Sequence, residues 1–185
     1  MPQLNPLVSY GISEDSVQLF VNYGSIFFLV LSVPVAILMD RPNGFRSSML
    51  LSAVFILLGC GMRLCARDAS SSSVILLHFS YILNAFSGPI AVSAPSLLAN
   101  AWFPANERGL ATGIAVAFNT FGLVFSYFCG PLFVSAGTVE SLMTYMYVCL
   151  ALAVVNAVGI ALYFPSAPAL PPSRSAGVYA MTNQT

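Results

Sequence analysis

Asn84, Asn119, Thr120 and Tyr127 stand inside stretches of sequence that are otherwise almost wholly apolar, and Asn119 falls near the middle of one of them. An amide at that depth is costly unless it faces protein or water, so such residues mark either close helix packing or a polar path for a solute. His78 is the single histidine, the residue type that exchanges a proton near neutrality; it reads either as an interfacial hydrogen bonder or as a pH sensor. No Asp or Glu lies inside any apolar stretch, because Asp40, Glu107 and Glu140 all stand at edges. A carboxylate that couples solute movement to a proton or sodium gradient is therefore not expected in this chain. Arg63 is expected to snorkel to the outer surface. The pairing of a nucleophile with a base, the HExxH pattern, a glycine-rich phosphate loop and a Cys/His cluster are all missing from the sequence, so neither enzymatic catalysis, a metal nor a cofactor is expected. Cys60, Cys65, Cys129 and Cys149 lie in apolar surroundings without CxxC spacing and read as small buried hydrophobes.

The elements that carry these residues are five apolar stretches: Ser16 to Met39, Ser47 to Ala66, Val74 to Phe103, Leu110 to Ser135 and Ser141 to Phe164. A helix needs about 20 mostly apolar residues to cross a bilayer, and in lipid only a helix or a closed barrel satisfies its own backbone. The expected fold class is all-α, a polytopic membrane bundle of five transmembrane helices. Only 6% of residues are charged, against about a quarter in a soluble domain. The net charge is zero and no basic run occurs, so nucleic acid is not an expected partner, whereas the lipid bilayer is.

Charge at the joints sets the orientation. Arg41, Arg46, Arg108 and Arg174 fall in alternate joints that share one side of the membrane, and Arg63 and Arg67 fall on the other, so the first side is read as cytoplasmic. Residues 1–15 then form a non-cytoplasmic N-terminal segment, residues 16–164 the bundle, and residues 165–185, rich in Pro and Ser, a cytoplasmic linker or tail. Nothing in Met1 to Ser13 resembles a signal peptide, so something upstream is expected to be missing. The sequon at Asn183 falls on the cytoplasmic side and is expected to be unmodified.

Small and weakly polar residues recur every three or four positions on two helices. Thr112, Ala115, Asn119, Gly122, Ser126 and Gly130 form one stripe, and Ser80, Asn84, Ser87 and Ala91 another, while Gly109 and Gly113 add a small-xxx-small pair. The plain reading is that such stripes let helices approach closely; the functional one is that Asn84, Asn119 and Tyr127 line a polar path. Pro34, Pro89, Pro95 and Pro131 interrupt the helices, a pattern that transporters use to rock and gate.

The joint from Ala36 to Arg46, which contains Asp40-Arg41-Pro42-Asn43-Gly44, resembles the loop between the second and third helices of the major facilitator superfamily. Ala36 stands where the superfamily pattern has its first glycine, and the loop is one residue longer. The stretch Ala99 to Gly113, with Trp102-Phe103-Pro104 and Glu107-Arg108-Gly109, continuing through Asn119, Gly122 and Gly130-Pro131, resembles the fourth-to-fifth helix region of solute carrier family 49, the feline leukaemia virus subgroup C receptor group. Tyr163 to Ser173 resembles the linker after the sixth helix in the member 4 branch of that family.

The resemblance implies that the five spans are helices two to six of a twelve-helix carrier, whose partners are the missing first helix and the C-terminal six-helix half. It implies transport of a small-molecule substrate by alternating access, with Asn84, Asn119, Thr120 and Tyr127 on the pathway and Asp40, Arg41, Gly44, Arg46, Glu107 and Arg108 at a cytoplasmic gate. Thr120 stands where choline-transporting relatives carry glutamine, which argues against a choline-like substrate and toward lysosomal export of a metabolite such as pyridoxine; the plasma membrane is the other location. The alternative is a short interaction or regulatory subunit without transport of its own, and haem or choline transport stands behind both.

Overall fold

The structure is a computed structural model that describes residues 13–66, 70–133 and 139–165. Five helices follow one another: α1 (Glu14–Met39), α2 (Gly44–Cys65), α3 (Ser71–Trp102), α4 (Arg108–Phe133) and α5 (Val139–Tyr163). All five are long and apolar enough to cross a membrane. Their ends lie within a few residues of the expected bounds. Arg67, Asp68, Ser135, Gly137, Arg174, the sequon and most of both terminal segments lie outside the described residues.

Local chemistry explains the starts. Ser13 is the N-cap of α1, its hydroxyl accepting from the Ser16 amide at 3.3 Å, with Glu14 and Asp15 at the positive end of the helix dipole. Ser70 caps α3 in the same way through the Ser73 amide at 3.3 Å. Each helix continues through its proline: Pro34 lies inside α1, Pro89 and Pro95 inside α3, and Pro131 inside α4.

The longest helix is the hub. α3 packs against α2, α1 and α4, and α5 packs mainly against α2. Between α2 and α3 the contact is a hydroxyl seam. Ser87 Oγ donates to the Ser52 carbonyl at 3.2 Å and, seven residues along each helix, Ser80 Oγ donates to the Gly59 carbonyl at 2.8 Å. That antiparallel register sets Ala66 level with Ser73 and Phe45 level with Ala94, and its seven-residue repeat is that of left-handed helix crossings. Small residues carry the seam because lipid supplies no hydrophobic drive for association, so backbones must approach closely. An interhelical hydrogen bond in a membrane is worth about 0.6 kcal/mol on average. Ser87→Ala is accordingly expected to lower the unfolding midpoint in detergent only slightly, and a large drop would mean that this bond is more than one member of a repeating seam.

Two apolar clusters close the ends of the bundle. Val17, Phe20, Ala66 and Leu77, with Tyr23, Val74 and Tyr81 against them, gather at the end where α1 begins. Val35, Met39, Phe45 and Ile90, joined by Phe164 after α5, gather at the opposite end. Arg46 Nη2 donates to the Ala161 carbonyl at 3.4 Å there, and the Phe45 and Phe164 rings meet at 5.2 Å. The α1–α2 turn and the end of α5 thus lie at the same end of the bundle.

α4 differs from the rest. It has no buried residue. Asn119, Gly122 and Ser126 stand exposed on it, and a Cβ added at Gly109, Gly113, Gly122 or Gly130 would meet nothing within 4 Å. The close approach expected at the Gly109/Gly113 pair is therefore not made by any described helix.

Candidate transport path and cytoplasmic gate

The residues expected at a gate occupy two turns, with the helix starts that follow them. In the first, Asp40 caps α1 with its amide on the Ala36 carbonyl at 3.1 Å, and the Gly44 amide closes onto the Arg41 carbonyl at 2.7 Å. Between them Pro42 has its φ set by its ring, and Asn43 takes the left-handed conformation at φ 58°. Proline followed by a left-handed residue is the pattern of a type II turn, in which asparagine and glycine are the residues that tolerate the third position. Gly44 is needed for a different reason: a Cβ there would fall on the Leu38 carbonyl oxygen and lie 3.1 Å from the Met39 carbonyl carbon and oxygen.

The second turn leads into α4. The Glu107 amide bonds the Pro104 carbonyl at 2.9 Å, and the Glu107 carbonyl accepts the first helical bond from Ala111 at 3.0 Å. Arg108 Nε donates to the Phe103 carbonyl at 3.1 Å, holding the end of α3 to the start of α4. Arg46 and Arg108 therefore each bond a backbone carbonyl, on α5 and at the end of α3 respectively. Beside Asp40 an open groove of about 660 Å³ runs between α1 and α3, with Ala36, Ile37 and Met39 on one wall and Val92, Ser93 and Ser96 on the other.

The four residues expected on a path are not brought together. Asn119 and Tyr127 stand on the uncovered helix α4, with Tyr127 74% exposed. Thr120 turns its hydroxyl back onto its own helix, donating to the Val116 carbonyl at 3.0 Å. Asn84 lies instead in the α2–α3 seam, its Oδ1 buried without a hydrogen-bond partner and 2.6 Å from where a Cβ on Gly59 would stand. His78 shares a 2.9 Å hydrogen bond between Nδ1 and the Tyr23 hydroxyl, and its ring meets Phe20 edge-on at 4.7 Å.

Two expectations need correction. Arg63 does not snorkel outward: its Nε donates to Ser80 Oγ at 2.8 Å, and its guanidinium lies 4.3 Å over the Tyr81 ring. A helical side chain leans toward the start of its helix, so Arg63, near the end of α2, leans back along it and onto Ser80, where α3 comes close to Gly59. The sequence signal was available in that direction rule and in the missing side chain one turn earlier. Cys65 is exposed rather than buried, whereas Cys60 is buried and Cys129 and Cys149 are half-buried; all four are free thiols.

Five helices long and apolar enough to cross a membrane, two of them joined by a hydroxyl seam, mark a multi-pass integral membrane protein. Residues 1–179 match the family model of the Major Facilitator Superfamily, and the chain belongs to that superfamily. It is 30% identical to a solute carrier family 49 member 4 homolog of Xenopus laevis, over 99% of this chain and 43% of that protein. Similarity to the corresponding Xenopus tropicalis protein is 30% over 96% of this chain and 42% of the relative. A solute carrier family 49 member A3 of Danio rerio is 29% identical over 62% of this chain and 26% of its own length. The chain thus spans less than half the length of these curated relatives.

Proposed function

We propose that these five helices form part of a carrier that moves a small organic solute across a membrane by alternating access. The observation that carries this reading is α4, a bilayer-length helix without one buried residue that presents Asn119, Ser126 and Tyr127. An asparagine facing hydrocarbon would be costly, so this stripe calls for water or further helices against it. Superfamily membership and the greater length of the relatives support the same view: a preceding helix and a second helical half cover α4 and complete the path. In this reading Asn119, Thr120 and Tyr127 line the path. The turns holding Asp40, Arg41, Gly44, Arg46, Glu107 and Arg108 close the cytoplasmic side, which is one of two arrangements whose balance the solute shifts.

Accessibility on a cysteine-free background tests it. Asn119→Cys and Ser126→Cys, made in a carrier that contains this segment, are expected to react with a membrane-impermeant thiol reagent and to be protected by the transported solute. Val33→Cys, on an exposed and wholly apolar face of α1 beside Leu29, Val30 and Ile37, is expected to stay unlabelled. Equal silence at all three positions would place the α4 stripe in lipid and defeat the path. Vesicles holding only these 185 residues are expected to show no saturable uptake.

A further inference from the structure

We infer that the outer ends of α1, α2 and α3 form a recognition site for an anionic group, a phosphate or a carboxylate, centred on the guanidinium of Arg63. Its depth is the first reason. The guanidinium bonds Ser80, which lies about 13 Å along α3 from that helix's first residue and inside the apolar stretch that begins at Val74. Arginine inside a span is costly and is placed there by a partner.

The second reason is its unfilled bonding capacity. A guanidinium has five N–H donors, of which Nε is used on Ser80. Ser80 passes its own proton to the Gly59 carbonyl at 2.8 Å, and neither group carries charge. Among the described residues no carboxylate pairs with Arg63; its other contact is the Tyr81 ring.

A separate observation on the neighbouring turn points to the same place. Asn84 Oδ1, one helical turn deeper than Ser80, is buried against Gly59 without a partner. Turning that amide over exchanges Oδ1 for Nδ2, a donor one helical turn from Ser80. A stack of rings fixes the charge in place. Tyr81 lies parallel to Phe20 at 4.5 Å and 4°, His78 meets the Phe20 edge, and Tyr23 holds His78. This wall lowers the local dielectric, which strengthens attraction to an incoming anion. Guanidinium takes phosphate and carboxylate through two parallel hydrogen bonds, which a point charge does not. The site lies in the α2–α3 seam, away from α4, and stands or falls independently of the transport path.

The anion can come from a lipid headgroup or from solution, and two assays on the full chain separate these sources. In neutral detergent, sodium phosphate and sodium benzoate are titrated against sodium chloride while the unfolding midpoint is followed. In parallel, protein taken from mixed phosphatidylcholine and phosphatidylglycerol is weighed by native mass spectrometry. Stabilisation by phosphate or benzoate identifies a soluble ligand, and one retained phosphatidylglycerol per chain identifies a headgroup. In either case R63Q is expected to lose the effect and R63K to weaken it by about tenfold, since lysine keeps the charge but neither the fork nor the stack. No response in the unaltered chain, or an equal response in R63Q, overturns the site. Should R63Q not fold, R63K decides: unchanged affinity overturns the proposal, and weakened affinity upholds it.

Discussion

Gly59→Leu is expected to part α2 from α3. A Cβ at this position would stand 2.6 Å from Asn84 Oδ1 and 3.0 Å from the Ser80 carbonyl oxygen. The amide is the end of a side chain and can swing aside, but the Ser80 carbonyl belongs to helix backbone. A leucine must therefore push the helices apart, and the Ser80-to-Gly59 hydrogen bond is lost with the approach that made it. Overpacking of this kind costs about 1–3 kcal/mol, to which the lost support of Arg63 is added. The check is the unfolding midpoint in detergent, compared with Gly24→Leu, where a Cβ would meet nothing within 4 Å. A large fall at Gly59 beside little change at Gly24 is the expected result. Similar values at both positions would mean that the seam does not hold the bundle together. Gly59→Ala should fall between them, because only the carbonyl contact resists it.

Gly44→Ala should be nearly as damaging for a different reason. Here the obstacle is wholly backbone: the Leu38 carbonyl occupies the place of the added methyl, and Met39 closes the space beside it. The turn must open, which disturbs the Gly44-to-Arg41 bond and with it the positions of Asp40 and Arg41. A cost of about 1–3 kcal/mol is expected, together with faster proteolysis at the turn. Asn43→Gly is the informative partner. Asn43 already holds a positive φ, a conformation that glycine adopts at no steric cost, so this change should be neutral or slightly stabilising. If alanine at Gly44 were tolerated as well as glycine at Asn43, the turn would be flexible and could not position a gate.

Much of the bundle was legible along the chain. Helix existence followed from length and hydropathy, since lipid leaves a chain few alternatives to a self-satisfied helix. The Ser13 cap and the Pro42-Asn43-Gly44 turn could be read because caps and turns depend on neighbours in sequence. The placement of Asn84 could not. It shares a periodic stripe with Ser80 and Ser87, and periodicity says that residues share a face without saying what that face meets. The stripe on α4 has the same spacing as the one on α3, yet the first holds no buried residue and the second is packed against α2.

Arg63 shows the same limit for charge. Its position near a helix end suggested an outward reach, and the tilt of the Cα–Cβ bond together with the close approach of α3 at Gly59 turned it back onto Ser80 and Tyr81. By itself the sequence determined the number of spans, their approximate bounds and the family resemblance, because these depend on local hydropathy and turn chemistry. Tertiary structure alone decided which polar residues are neighbours. Whether an amide is a packing group, a path lining or part of a charged site depends on the helix opposite it, and that partner is chosen by close approach between segments distant in sequence.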